Sequence, residues 1–245
     1  MAIRDFKSQR VHVEADLKAG STFEATRDQA NYLLNVMRLS DGSHVLLFNG
    51  RDGEWRAEIQ TLGRKKCKLK PIDKLRDQPD RPSLSYCFAP LKQARLDYMV
   101  QKAVEMGVGN LQPVITEHTQ VRSINHKRII ANAIEAAEQC GIITLPEIRN
   151  PVNLADLAET LGQGTDLFFC DEEAPAVTDI NMKVNNSANN LAVLIGPEGG
   201  FSPQERKLVR SWSNVRLLRL GPRILRADTA GVAALALVQA KYGDW

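Results

Sequence analysis

The chain has 245 residues, 43% of them apolar and 25% charged, which places it in the ordinary globular class and allows one large domain or two modest ones. No apolar stretch approaches the roughly 18 residues of a membrane span, and the start, MAIRDFKSQR, lacks the apolar core of a signal peptide, so a cytoplasmic protein without membrane contact is expected. The four cysteines (Cys67, Cys87, Cys140, Cys170) form no Cys-x-x-Cys pair and the four histidines no His-x-x-x-His pattern, so buried free thiols and no metal site are expected.

Residues 1–73 read as β-rich. Val45 to Phe48 is a short strand, Asn49-Gly50 a turn, and Glu54 to Ile59 alternates polar and apolar residues. Cys67 to Ile72 is a further strand, and only Asp28 to Leu39 looks helical; a small barrel fits. The charge is uneven. Residues 1–75 hold 14 Lys/Arg against 10 Asp/Glu, while residues 76–245 hold 18 against 19. The excess concentrates in Arg64, Lys65, Lys66, Lys68 and Lys70, either a solvated strand face or a footprint for RNA phosphates. Arg10 and Arg38 are further candidates for RNA backbone contact, or simply solvated charges.

Residues 74–83 are polar, carry Pro79 and Pro82, and form the linker candidate. From 84 to 245 strands and helices alternate. Leu84 to Ala89 is a strand. Leu96, Met99, Val100, Ala103 and Val104 make one helical stripe, ended by Gly107 and Gly109. Leu111 to Ile115 is a strand, Ile130 to Ala137 marks a helix stopped by Gly141, and Leu167 to Cys170 is a strand. This alternation predicts a parallel sheet with covered faces. The Asn- and Ser-rich stretch Asn181 to Asn190 reads as an exposed loop.

Two strand-loop-helix units close the chain. In the first, Leu191 to Ile195 runs into Gly196, Pro197, Glu198, Gly199 and Gly200, and the next helix announces itself by Ser202 at the N-cap, Pro203, and Glu205 completing a capping box. A phosphate cradle wants lysine and no carboxylate. Glu198 and the missing Gly-Lys-Ser/Thr signature therefore speak against a nucleoside triphosphatase and for a ligand bearing positive charge. In the second unit, Leu217 to Leu220 is broken by Gly221-Pro222 and followed by Arg223, Ile224, Leu225, Arg226 and Asp228 before an alanine-rich helix to Tyr242. Loops so placed in an open α/β sheet form a ligand-binding edge.

LIGPEGGFSPQE and LRLGPRILRADTA resemble the second and third signature motifs of the RsmE family, and Arg95 to Val108 resembles the first. Glu135 to Cys140 and Pro146-Glu147-Ile148 agree as well. The chain departs from the family's pattern at Asp228, usually Glu, and near Asn31-Tyr32, commonly His. The family belongs to the SPOUT superfamily and methylates a uridine at ring N3 in small-subunit (16S) ribosomal RNA. The resemblance implies an α/β SPOUT methyltransferase domain with a C-terminal trefoil knot over 84–245, preceded by a small β-barrel PUA-like domain over 1–73. It also implies a homodimer with active sites at the subunit interface, and S-adenosylmethionine as cofactor. On this resemblance Ile195 with the Gly196–Gly200 loop and Leu220 to Leu225 would clasp the cofactor, with Ile224 and Leu225 against the adenine and Cys170 lining the pocket. Glu198 would either shape its loop or touch the cofactor.

Uracil N3 must lose its proton before it can attack, and the charge then spreads over O2 and O4. A guanidinium beside those oxygens would stabilise it. Arg226 is the first candidate and Arg223 the second. Asp228 would accept the proton, or else act as a helix N-cap. Lys102 and Glu105, one helical turn apart, read as a surface pair. A sibling enzyme acting on tRNA, or a non-catalytic RNA-binding protein of ribosome assembly, are the alternatives.

Overall fold

A computed structural model of the chain describes residues 8–121, 123–174 and 190–245. Most of the expected 181–190 loop, up to residue 189, lies outside the described residues. The chain divides into two units, Met1–Asp80 with Ile134–Leu145, and Arg81–Ala133 with Pro146–Trp245.

The N-terminal unit is built on β1 (Arg10–His12), β2 (Phe23–Glu24), β3 (His44–Phe48), β4 (Glu54–Thr61) and β5 (Cys67–Arg76), ordered β1-β3-β4-β5-β2. The β1–β3 pair is parallel and the other three are antiparallel. Period-two alternation decides which side chains go inside: Ala57 and Ile59 of β4 and Cys67 and Leu69 of β5 are buried with Val11, Leu33, Val45 and Leu47. Strand β5 runs three residues into the stretch expected to link the units, because Lys74 and Arg76 still pair with β4.

The single expected helix is present in altered form. Thr26 and Gln29 make a capping box that starts α1 (Arg27–Asn31), which widens into a π-helical turn over Tyr32–Val36. Arg38 follows in the left-handed region, at φ 57°.

The second unit is a parallel sheet flanked by helices. Its strands are β6 (Ser85–Phe88), β7 (Asn110–Ile115), β8 (Glu147–Ile148), β9 (Val152–Asn153), β10 (Asp166–Cys170), β11 (Leu191–Ile195) and β12 (Val215–Leu218). The order is β12-β10-β11-β6-β7-β8, with β9 also on β7, and every pair is parallel. The helices are α2 (Gln93–Glu105), the first part of α3 (His126–Cys140), whose residues from Ile134 onward belong to the first unit, α4 (Leu157–Leu161), α5 (Pro203–Arg210) and α6 (Ala227–Tyr242). Helix α2 buries the stripe expected from the sequence, Leu96, Met99, Val100, Ala103 and Val104. Helix α6 packs on α2 and returns to β11 from the edge strand β12. Close approach there depends on Gly231, since a Cβ on it would lie 2.3 Å from Tyr86 Oη of β6. Among the described residues no helix is long and apolar enough to cross a membrane.

Candidate active site

The order β12-β10-β11 brings three strand ends together, and the segments leaving them enclose a cavity of about 280 Å³. From the β10 end come Cys170, Asp171 and Glu172; from β11, Ile195 to Glu198 with Gly200 and Phe201; from β12, Leu218 to Ala227. The cavity thus gathers Cys170, Ile195, Gly196, Glu198, Gly200, Leu220, Gly221, Arg223, Ile224, Leu225 and Arg226 of the expected site.

Two expected residues stand outside its lining. Gly199 turns to His118, whose Cβ would be 3.2 Å from a Cβ built there. Asp228 lies in the first turn of α6, where its Oδ1 accepts the Thr229 backbone N–H at 3.0 Å. It is not the N-cap: Arg226 holds that position with extended backbone and makes no side-chain cap.

The β11 loop is fixed from several sides. Ser202 and Glu205 form the expected capping box of α5, and the second oxygen of Glu205 accepts the Glu117 backbone N–H at 2.8 Å. His118 Nδ1 lies 3.0 Å from Gly199 O and 3.2 Å from Gly200 O. Both partners are acceptors, so Nδ1 carries the hydrogen. Gly196 is small because Phe201 covers it: a Cβ there would meet the ring at 2.6 Å. Gly200 and Gly221 take positive φ, 67° and 88°. Glu198 lines the cavity and is also paired with Arg95 of α2 at 3.1 Å, which ties its loop to that helix.

Sequence reasoning missed the acidic segment after β10. Asp171 is fully buried, paired with Arg206 and with Arg210. Arg206 also reaches Glu172 and Glu173, each at 2.7 Å. Arg206 and Arg210, four apart on α5, face three consecutive acids directly after an apolar strand, and that pattern was available in the sequence. Burial, then the neighbouring Asp171 charge, pushes the Cys170 thiol well above its ordinary range, so the thiol lines the cavity as a neutral group. Arg223 and Arg226 are exposed at the mouth, beside Ile224, which is 87% exposed. Among the described residues no group of three His, Cys, Asp or Glu side chains gathers as metal ligands would.

The expected RNA contacts separate. Arg10 is a correction: its side chain is 4% exposed and its Nε donates to Glu54 at 2.6 Å, so it braces the N-terminal unit and offers no free charge to phosphate. Arg38, Arg64, Lys65, Lys66 and Lys68 are exposed, the last four on or beside the β4–β5 turn closed by Leu62 N–H to Lys66 O at 2.9 Å. Lys66 also pairs with Glu24 at 3.3 Å. Lys102 and Glu105 are paired at 2.7 Å, as expected.

An RNA methyltransferase domain model matches residues 79–239, and an RNA methyltransferase PUA domain model matches residues 25–72. The ribosomal RNA small subunit methyltransferase E of Rickettsia conorii is 30% identical over 236 residues, 95% of this chain and 96% of its own. The chain belongs to the RsmE family. The same-named protein of Bacillus subtilis is 24% identical over 94% of this chain and 95% of its own. Among solved structures, the Neisseria gonorrhoeae ribosomal RNA small subunit methyltransferase E bound to S-adenosyl methionine superposes with a TM-score of 0.86 over 97% of this chain and 99% of that one, at 24% identity. A Legionella pneumophila protein in complex with the cofactor SAM gives 0.80 at 27% identity, covering 96% and 98%. In this member of the family the PUA match falls on the mixed sheet and the RNA methyltransferase match covers the parallel one.

Proposed function

We propose that this chain transfers a methyl group from S-adenosylmethionine to N3 of a uridine in the 16S ribosomal RNA of the small subunit. The observation that carries the reading is the cavity at the ends of β10, β11 and β12, with Arg223 and Arg226 exposed at its mouth. Its donor set fits the cofactor. Glu172 and Glu198, although held by Arg206 and Arg95, supply negative charge suited to the cationic sulfonium and ammonium, and Ile224 and Leu225 offer apolar surface for an adenine. The remaining lining from Cys170, Ile195, Gly196, Gly200, Leu220 and Gly221 supplies backbone groups and close approach. When bound, S-adenosylmethionine supplies an electrophilic methyl group on its sulfonium.

The chain's own residues would prepare the nucleophile. Arg226, with Arg223 as the second candidate, would hold the charge that develops on O2 and O4 once N3 is deprotonated. Asp228, one turn into α6, is the candidate acceptor for the N3 proton. Its carboxylate is shorter by one methylene than the family's usual Glu, and its bond to the Thr229 amide engages only Oδ1, leaving the second oxygen for the proton.

Three further expectations belong to this reading. The return of α6 from the edge strand β12 to β11 is compatible with the expected C-terminal trefoil knot. The partly exposed apolar residues Val232, Ala233, Ala236 and Leu237 on α6 suit a homodimer face. The exposed cations of the β4–β5 turn suit RNA phosphates in a cytoplasmic ribosomal particle. The test is to incubate the protein with methyl-labelled S-adenosylmethionine and either small-subunit particles or tRNA, then digest to nucleosides. Label in 3-methyluridine from ribosomal RNA supports the reading. Label in tRNA, in another nucleoside, or nowhere overturns it.

A further inference from the structure

The N-terminal unit carries a second cleft, of about 330 Å³, between the helical segment and the β4–β5 turn. That is at the small end of ligand clefts, which run to roughly 300–1,000 Å³. It is lined by the exposed side chains of Arg27, Asp28, Asn31, Asn35 and Lys65, their apolar stems with their polar ends. Asp28 is the acid of the first helical turn, where it complements the helix dipole, but the two asparagines are not chosen for the core. The helical segment buries Ala30 and Leu33, while Asn31 and Asn35 point outward, and asparagine is a poor helix former.

The backbone beneath them is unusual twice over. Tyr32–Val36 is π-helical, with Met37 N–H bonded to Tyr32 O at 2.9 Å, and π-turns recur at functional sites. Arg38 next to it takes φ 57°, a conformation that residues other than glycine rarely hold and that clusters at ligand sites. The two amides are joined, Asn35 Nδ2 donating to Asn31 Oδ1 at 3.1 Å. The joined pair still presents the Asn31 amide hydrogens as donors and Asn35 Oδ1 as an acceptor.

We infer that this cleft receives one unpaired RNA base and reads its edge, with adenine preferred over uracil. The inference rests on the RNA methyltransferase reading above. A donor beside an acceptor is the arrangement with which asparagine amides grip adenine N7 and N6, and unpaired bases are what proteins read on RNA. Asp28 adds a second acceptor for an exocyclic amino group, which uracil lacks. Arg27 and Lys65 flank the cleft as partners for the adjoining phosphates.

The experiment is anisotropy of short labelled oligoadenylate and oligouridylate titrated with the full chain at several salt concentrations. Oligoadenylate should bind about tenfold tighter, the discrimination of one good bidentate contact. The Asn31→Ala/Asn35→Ala double variant should bring that ratio close to one without changing the salt slope. Lys65→Ala should weaken both oligonucleotides alike and lower the slope by about one. Salt-dependent binding with no adenine preference, or a preference that survives the double variant, overturns the inference and leaves RNA docking standing. If neither oligonucleotide binds at any salt, RNA docking by this unit fails as well.

Discussion

Arg226 combines two positions that one side chain seldom serves, the last residue of a cavity-lining loop and the N-cap of α6, and it makes no capping bond. Its guanidinium is therefore open to substrate. Arg226→Ala should lower single-turnover methyl transfer on the order of 10²–10³-fold, with cofactor affinity by calorimetry nearly unchanged. Arg226→Lys should rescue poorly, because an ammonium cannot bridge two oxygens as a planar fork does. Asp228→Asn is a clean companion, since the cap lies elsewhere: a normal single-turnover rate would remove Asp228 from proton transfer. Glu54 shows the opposite kind of charge. Burial pushes its carboxyl up, but the hydrogen bonds from Arg76 and Arg10 prevail and hold it below the ordinary 4.5. Its stabilising contribution is thus present above that pH and fades as pH falls through the lower folded-state value. Glu54→Gln should cost about 3–5 kcal/mol near neutrality by stranding the buried Arg10, and the gap in denaturation midpoint should narrow in acid. That buried pair was invisible in the sequence, where Arg10 is one more cation in a polar stretch. Nothing local tells a residue that its partner lies 44 positions away.

At the level of elements, Gly231 is required by its neighbour rather than by its own helix. Tyr86 is fully buried, stacked on Phe88, and its hydroxyl has no hydrogen-bond partner among the described residues. Gly231→Ala should cost about 1–3 kcal/mol through overpacking, read from denaturant midpoints. Adding Tyr86→Phe should recover most of that loss, while Tyr86→Phe alone should be close to neutral because the hydroxyl it removes is unsatisfied. The long elements were legible because they carry strong local signals. The stripe of α2 and the Ser202–Glu205 box of α5 are each written in fewer than ten consecutive residues, and both are present in the structure. Strands β1, β2, β8 and β9, of two or three residues, are too short to show a period. Strand β12 begins two residues before the apolar run suggested, because Val215 and Arg216 pair with β10. The π-turn has no sequence signature; its apolar spacing is that of plain helix.

For the whole molecule, the sequence indicated two glycine-bearing loops but not why they meet. They meet because β12 is laid beside β10, across from β11, an order that only tertiary packing decides. The charge asymmetry was legible, and the structure places its densest part on an exposed turn. Neutralising Arg64, Lys65, Lys66 and Lys68 together should weaken binding to ribosomal RNA and flatten its dependence on salt, by about one unit of slope for each phosphate left without its cation. Cofactor affinity should not move. An unchanged slope would leave this turn as a solvated face.

Strand β11 is bonded to β10 on one side and β6 on the other, and all five of its residues are buried. Amide protons on such a segment exchange with solvent only when the whole domain opens, whereas those of an exposed loop exchange through small local openings. The change should fall within a few residues, between Ile195 and the exposed Glu198 and Gly199. Deuterium uptake should therefore be slowest on β11 and rise abruptly after it, and cofactor should slow the loop far more than the strand. The pocket then has its slowest-exchanging floor directly against its fastest wall, so a ligand entering it orders the loop while the sheet beneath stays as it was.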